Sequence, residues 1–257
     1  MLRFLKLVKH AFWTTIAVAI ISAFVVTATF QSNMTPSWKQ ISQDDNIDDG
    51  ISSAEVEAIS KSRTSAVKIR SMSINFFAGT STMTGTYFVA KGKPYVLTVH
   101  HGIMGPCLLI MISHDDQDYL CKEYIVVDKY NDYIIMELEQ EIENRIPIKI
   151  PEDLPRGSQW KKSYSLLNKL IYTGYPNAIG PLTLRGDVIG YGDDEFIYIF
   201  SHAYGGASGS GVFSKEGKYI GYVVAIDVGS TELGVDVLEN VVIVASALNV
   251  DWTAVLD

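Results

Sequence analysis

From Ala66 onward the chain is a succession of short runs with β character: AVKIRSMSI, GTYFVA, PYVLTV, CLLIMIS, YIVV, YIIMEL, KLIYTGY, FIYIF, KYIGYVVAI and NVVIVAS. They are rich in Val, Ile, Tyr, Phe and Thr, which fit a pleated, half-buried surface, and the breaks between them carry Gly, Pro, Asn and Asp. Ten or more such strands point to an antiparallel sandwich or barrel rather than to alternating βαβ units. Only two segments read as helical. Residues 53–66 offer a short helix capped by Ser53, with Val56 and Ile59 at helical spacing. The end of the chain, SALNVDWTAVLD, sets Leu248, Trp252 and Val255 at spacings of four and three.

The remainder of the sequence divides differently. Residues 11–30, AFWTTIAVAIISAFVVTATF, are uncharged and mostly apolar, and 20 helical residues span ~30 Å, the hydrocarbon thickness of a bilayer. Arg3, Lys6 and Lys9 precede this run, whereas Lys39, Asp44 and Asp45 follow it. The expectation is a signal anchor (a cleaved signal peptide being the alternative), with the N-terminus in the cytoplasm and the bulk of the chain periplasmic or extracellular. Residues 31–53 are polar and acidic and read as a linker. Residues 54–257 are then the working domain. The net charge of −8 becomes −11 once residues 1–30 are set aside, which argues against a nucleic-acid partner. Two cysteines make neither a disulfide scaffold nor a zinc site. No metal site and no cofactor is expected.

Three segments carry chemistry. Val96–His101 ends a strand in two histidines, Asn131–Met136 places an acid before a buried-looking strand, and Gly205–Gly211 sets a serine in a glycine-rich loop before another strand. A serine hydroxyl is a poor nucleophile near neutral pH. It needs an imidazole to take its proton, and the imidazole needs an acid to fix its tautomer. Glycines beside the serine allow backbone N–H groups to converge on a developing oxyanion. Each segment alone has a plainer reading, as a surface histidine pair, a turn aspartate and a flexible connection. Their order on an all-β chain favours the chemical one.

These residues resemble the trypsin-like (chymotrypsin-fold) serine peptidases, and in particular their HtrA/Deg-like branch. GTYFVAKGKPYVLTVHHGI is similar to the strands leading into the family's catalytic histidine, which follows a threonine by three residues and so selects His101. NDYIIMEL resembles the Asp-Ile-Ala-Leu-Leu segment and gives Asp132. GGASGSGVF resembles the Gly-Asp/Asn-Ser-Gly-Gly-Pro loop and gives Ser208. EVEAISKSRTSAVKIRS and YTGYPNAIGPLTLRGDVIG are similar to the family's entry helix and its Gly-Asn-Pro-Phe-Gly region, so the likeness takes in roughly residues 54–257.

The resemblance implies an all-β fold of two perpendicular six-stranded antiparallel barrels with a C-terminal helix. Between them, Ser208 would attack a peptide carbonyl, His101 would act as general base, and Asp132 would orient His101. The backbone N–H groups of Gly206 and Ser208 would form the oxyanion hole. Val224, Ala225 and Ile226 would pair with an extended polypeptide substrate, and His202 occupies the position that lines the base of the family's specificity pocket. The implied function is a membrane-anchored serine endopeptidase, with a catalytically inactive binding or structural module as the alternative.

Some positions depart from the family. Ala207 stands where trypsin-type enzymes carry an acid, Ser210-Gly211 replaces the usual Gly-Pro, and no PDZ module is expected after the peptidase domain. Val223 and Ala225 read as an apolar substrate wall. Tyr191–Asp194 reads as a plain β-turn. Cys107 and Cys121 bracket a hairpin. With Ser113 opposite Asp118, strict strand alternation sends the two cysteines to opposite faces, so no disulfide is expected between them.

Overall fold

The computed structural model describes residues 51–257 except 75–78, 115–116, 153, 155–156, 193–194, 232–233 and 257, and for 157–158 and 225–239 it describes the backbone alone. The expected membrane span at 11–30 and nearly all of the linker at 31–53 lie outside the described residues. Among the described residues no helix is long and apolar enough to cross a membrane.

Twelve strands form two closed antiparallel barrels of six. The first contains β1 (Ala66–Met72), β2 (Thr80–Ala90), β3 (Lys93–Val99), β4 (Ile110–His114), β5 (Gln117–Asp128) and β6 (Tyr133–Leu138), in the order β1-β2-β3-β6-β5-β4. The second contains β7 (Lys169–Gly174), β8 (Leu182–Tyr191), β9 (Phe196–Phe200), β10 (Gly211–Ser214), β11 (Tyr219–Thr231) and β12 (Gly234–Ser246), in the order β10-β11-β12-β9-β8-β7. Of these, β8 and β10 are absent from the runs picked out by composition. Gly186 and Gly190 dilute the first, and the second is only four residues long. Closure gives every strand a neighbour on both sides over at least part of its length.

Each barrel has an apolar interior. Val67, Ile69 and Val96 converge on Gly85 in the first, and Leu97 and Ile135 are buried on the opposite face of the same sheet. Tyr172, Val188, Ile197, Ile199, Val212 and Val244 fill the second. The first cluster continues into residues of the other half, since Phe213, Tyr222 and Trp252 belong to it. The Trp252 ring meets Phe88 edge-on at 5.4 Å and Tyr219 at 6.2 Å. The C-terminal segment therefore straps the second barrel onto the first.

The helical segments differ in detail from expectation. Helix α1 (Ser53–Ser65) is capped by Ser52, not Ser53: the Ser52 hydroxyl accepts from the N–H of Glu55, whose carboxylate reaches back to Ser52. This reciprocal box needs an acid three residues after the cap, which Ser52 has and Ser53 lacks. The terminal helix is not continuous. A 3-10 turn at Ala247–Asn249 is followed by a single α-turn, α2 (Thr253–Leu256). Asp251 breaks the run, its carboxylate accepting from the N–H of Thr253 while its own N–H donates to the Tyr133 hydroxyl.

Cys107 and Cys121 form a disulfide, contrary to the face-alternation argument. The assumed register is correct, with Ser113 opposite Asp118. Cys107, however, lies in a 3-10 turn, Cys107–Leu109, before β4 begins. A residue in a turn does not obey strand alternation, and the two Cα atoms stand 5.3 Å apart, within the range a disulfide spans.

Candidate active site

Strand pairing assembles the first half of the site. β3 and β6 are neighbours, with Val99 opposite Tyr133, so the residues just after β3 meet those just before β6. The N–H of His100 donates to the carbonyl of Asp132 at 3.1 Å, extending the ladder by one step. Asp132 has φ 55°, a left-handed conformation that Asp tolerates better than most residues. Its carboxylate grips the next histidine with both oxygens. Oδ1 accepts from the backbone N–H of His101 at 2.8 Å, and Oδ2 lies 2.6 Å from His101 Nδ1. An ionised carboxylate only accepts, so Nδ1 carries the proton and Nε2 is left as the acceptor. His101 is half exposed, whereas Asp132 is largely covered. Tyr222, from the second barrel, donates its hydroxyl to the Asn131 carbonyl at 2.6 Å and so pins the turn that carries the acid.

Ser208 lies on the loop between β9 and β10, and that loop is held across the barrel boundary by Thr84 of β2. Thr84 is fully buried. Its N–H donates to the Ser208 carbonyl at 2.9 Å, its hydroxyl donates to the Gly206 carbonyl at 2.7 Å, and that hydroxyl accepts from the N–H of Tyr175 at 2.9 Å. The Thr84 carbonyl accepts from the hydroxyl of Thr98, three residues before His101. The Ser208 loop and the strand leading to His101 thus share one buried polar network. Gly209 sits against it at φ 86°, where a Cβ would overlap the Thr84 carbonyl oxygen.

The loop's N–H groups alternate in use. Ala207 donates to Tyr204, Gly209 to Val223 and Ser210 to Ala207. Among the described residues, nothing accepts from the N–H of Gly206 or of Ser208. The direction of each free N–H is set by the carbonyl of the same planar trans peptide, which points the opposite way. The carbonyl of Gly205 is held by the N–H of Asn177 at 2.6 Å, which fixes the N–H of Gly206. The carbonyl of Ala207 accepts from the N–H of Ser210 at 3.1 Å and from its hydroxyl at 2.6 Å, which fixes the N–H of Ser208. Ser210, where the family pattern has no side chain, braces the loop by hydrogen bonding. Gly174 makes room for that hydroxyl.

The structure brings His101 and Asp132 into direct contact. Among the described residues no hydrogen bond joins the Ser208 hydroxyl to His101. His202 precedes the loop with an exposed side chain, and its carbonyl accepts from the Tyr172 hydroxyl at 2.5 Å. Val223 does not form a surface wall: it is 1% exposed and packs in the second barrel's core. Val224, also buried, is the extra residue of a bulge, since Val223 pairs with Val244 and Ala225 with Ile243. Strand β10 reaches only as far as Tyr222 along β11. From Val224 through Ile226, among the described residues, that edge of β11 has no neighbouring strand. The side chains of Ala225 and Ile226 lie outside the described residues. No group of His, Cys, Asp and Glu able to hold a metal is found among the described residues.

Thr84, Asn177 and Ser210 escape sequence reasoning. Thr84 and Thr98 sit where strand patterning expects apolar residues, the one signal that marks them. Ser210 registers in the sequence only as a departure, and the left-handed Asn177 (φ 50°) leaves no signal at all.

Two closed six-stranded antiparallel barrels, with His101–Asp132 at one strand end and a serine loop clamped between the halves, make this the fold of the trypsin-like serine peptidases. Solved structures agree on the fold. The chain is similar to a serine endoprotease from Yersinia pestis (16% identity, TM-score 0.55, taking in 77% of this chain and 64% of that one). It is also similar to the HtrA-type protease AlgW with tripeptide (16%, 0.58, 78% and 63%). A third likeness is to the Rv3671c protease from M. tuberculosis in its active form (16%, 0.55, 74% and 79%). The first two matches thus span a little under two-thirds of those proteins' own length. No protein-family model and no curated protein sequence matches the chain.

Proposed function

We propose that the chain is a serine endopeptidase acting on polypeptides outside the cytoplasm, anchored in the membrane through residues 11–30. The observation that carries this reading is the two-oxygen grip of Asp132 on His101, which leaves Nε2 as a base. In this mechanism His101 Nε2 takes the proton of Ser208 as Oγ attacks the substrate carbonyl. The oxyanion accepts from the free N–H groups of Gly206 and Ser208. Collapse expels the amine, protonated by His101, and leaves an acyl-enzyme. Water then attacks with His101 again as base, releasing the acid and restoring Ser208. The substrate adds as a strand to the open edge of β11 at Val224–Ile226, a form of β-augmentation supported by the missing neighbour there. His202, exposed ahead of the loop, lines the pocket for the residue preceding the cut bond. No cofactor enters the reaction.

The test is labelling of the full-length protein by an active-site-directed fluorophosphonate, with Ser208→Ala as the control. Labelling of the wild type and none of the variant is expected; equal labelling of both refutes the assignment of Ser208. A second reading, a binding module on the same fold, is favoured by the absence of a hydrogen bond between Ser208 and His101. It predicts no labelling of either protein, and no turnover of an unfolded polypeptide.

A further inference from the structure

On the strongly acidic chain one cavity is basic. It has a volume of about 670 Å³ and is lined by residues 146–152, 154, 162–163, 168–170 and 213–220 together with Lys61 of α1. Six lysines, Lys61, Lys149, Lys162, Lys169, Lys215 and Lys218, line it against two glutamates, Glu152 and Glu216, for a local balance of +4. Lys61 is engaged by Glu57 at 2.8 Å, Lys162 by Gln159, and Lys215 by Glu216 at 3.9 Å. Lys149, Lys169 and Lys218 are exposed and make no ion pair or hydrogen bond with any described residue. The wall between them is apolar, and Ile146, 58% exposed, contributes to it. Like charges gathered around a concavity repel one another, and an opposite charge seated in the concavity removes that cost.

We infer that this cavity receives the acidic segment Asp44-Asp45-Asn46-Ile47-Asp48-Asp49 of the same chain. Four aspartates balance the +4 of the lining, and Ile47 at the centre supplies an apolar side chain for the Ile146 wall. The segment is within reach. It ends four residues before α1, and the eight residues from Ser53 to Lys61 advance ~12 Å along the helix axis. The nine residues from Asp44 to Ser53 extend up to ~30 Å, so the segment can double back beside α1 to the cavity. Covalent attachment holds it at an effective concentration of order mM, which allows weak ion pairs to hold it in place. The docking is electrostatic and therefore weakens as salt shortens the screening length to ~3 Å at 1 M.

The experiment uses the full-length protein in detergent micelles. A carbodiimide, which joins carboxylates to amines with no spacer, is expected to link residues 44–49 to Lys149, Lys169 or Lys218 within one molecule, and 1 M salt to suppress those links. Separately, an amine-reactive ester is used to compare the wild type with D44N/D45N/D48N/D49N. A segment docked three-quarters of the time leaves each lysine free about a quarter of the time, so the three lysines label about four-fold faster in the variant. Equal labelling rates overturn the proposal. So do links formed only between two molecules, which would give the cavity to an acidic peptide in trans.

Discussion

Removing the Ser210 hydroxyl tests whether the direction of the Ser208 N–H, proposed as an oxyanion donor, is set through the carbonyl of its own peptide. Ser210 is fully buried, and its Oγ lies 2.6 Å from the Ala207 carbonyl oxygen. In Ser210→Ala that carbonyl keeps its 3.1 Å bond from the backbone N–H of residue 210, so no buried acceptor is orphaned. The loss is then one neutral hydrogen bond, about 1 kcal/mol. At 1.36 kcal/mol per decade in rate, this caps the fall in kcat at about five-fold, with KM unchanged. Losing an oxyanion donor altogether costs about 100- to 1,000-fold, so a fall of that size would mean that the loop had collapsed. The same 1 kcal/mol lowers the thermal midpoint by about 2–4 °C in a domain of this size. Gly174→Ala approaches the bond from the other side, because its new Cβ collides with the Ser210 hydroxyl; it should lower kcat in the same sense. The assay is steady-state hydrolysis of a peptide ester and amide beside a thermal melt. A lowered midpoint with unchanged kcat refutes the positioning role and leaves the bond purely structural.

Three further outcomes are expected. Asp132→Asn presents an amide N–H to His101 Nδ1 and so favours the tautomer protonated at Nε2; kcat should fall by about 10⁴, and a fall under ten-fold in the fluorophosphonate reaction refutes the assigned role. Burial, together with the nearby Arg145, pushes the pKa of His114 down from 6.5 to about 3. Stability is therefore insensitive to this group above pH 6.5 and declines as pH drops from there toward 3, losing about 2 kcal/mol by pH 5. Urea unfolding at pH 7 and pH 5 should register that loss in the wild type and a much smaller one in His114→Gln, while equal losses exclude His114 as the source. Reducing the Cys107–Cys121 bond, which closes a separation of 14 residues, should cost about 3 kcal/mol, read as a lower thermal midpoint with reductant. An unchanged midpoint would show that the bond contributes nothing to stability.

The sequence by itself determined the all-β class and every strand but β8 and β10, and it singled out His101, Asp132 and Ser208 as candidates, because period-two patterning and glycine-rich turns are local signals. It also specified the hairpin register at Ser113 and Asp118. Where a property depends on contacts distant in the chain, local reading fell short. The Cys107–Cys121 pair was hidden because a 3-10 turn suspends the alternation on which the inference relied. The terminal helix breaks because Asp251 finds Tyr133, 118 residues away. Val223 resembles a surface wall until closure of the second barrel turns it into the core. Only the tertiary structure showed that the carboxylate of Asp132 holds His101 with both oxygens, one on the backbone N–H and one on Nδ1. Only it showed that one buried threonine, Thr84, ties the serine loop to the opposite barrel. Barrel closure sets such contacts: it brings residues 31 to 122 positions apart within hydrogen-bonding distance, and no periodicity along the chain encodes that proximity.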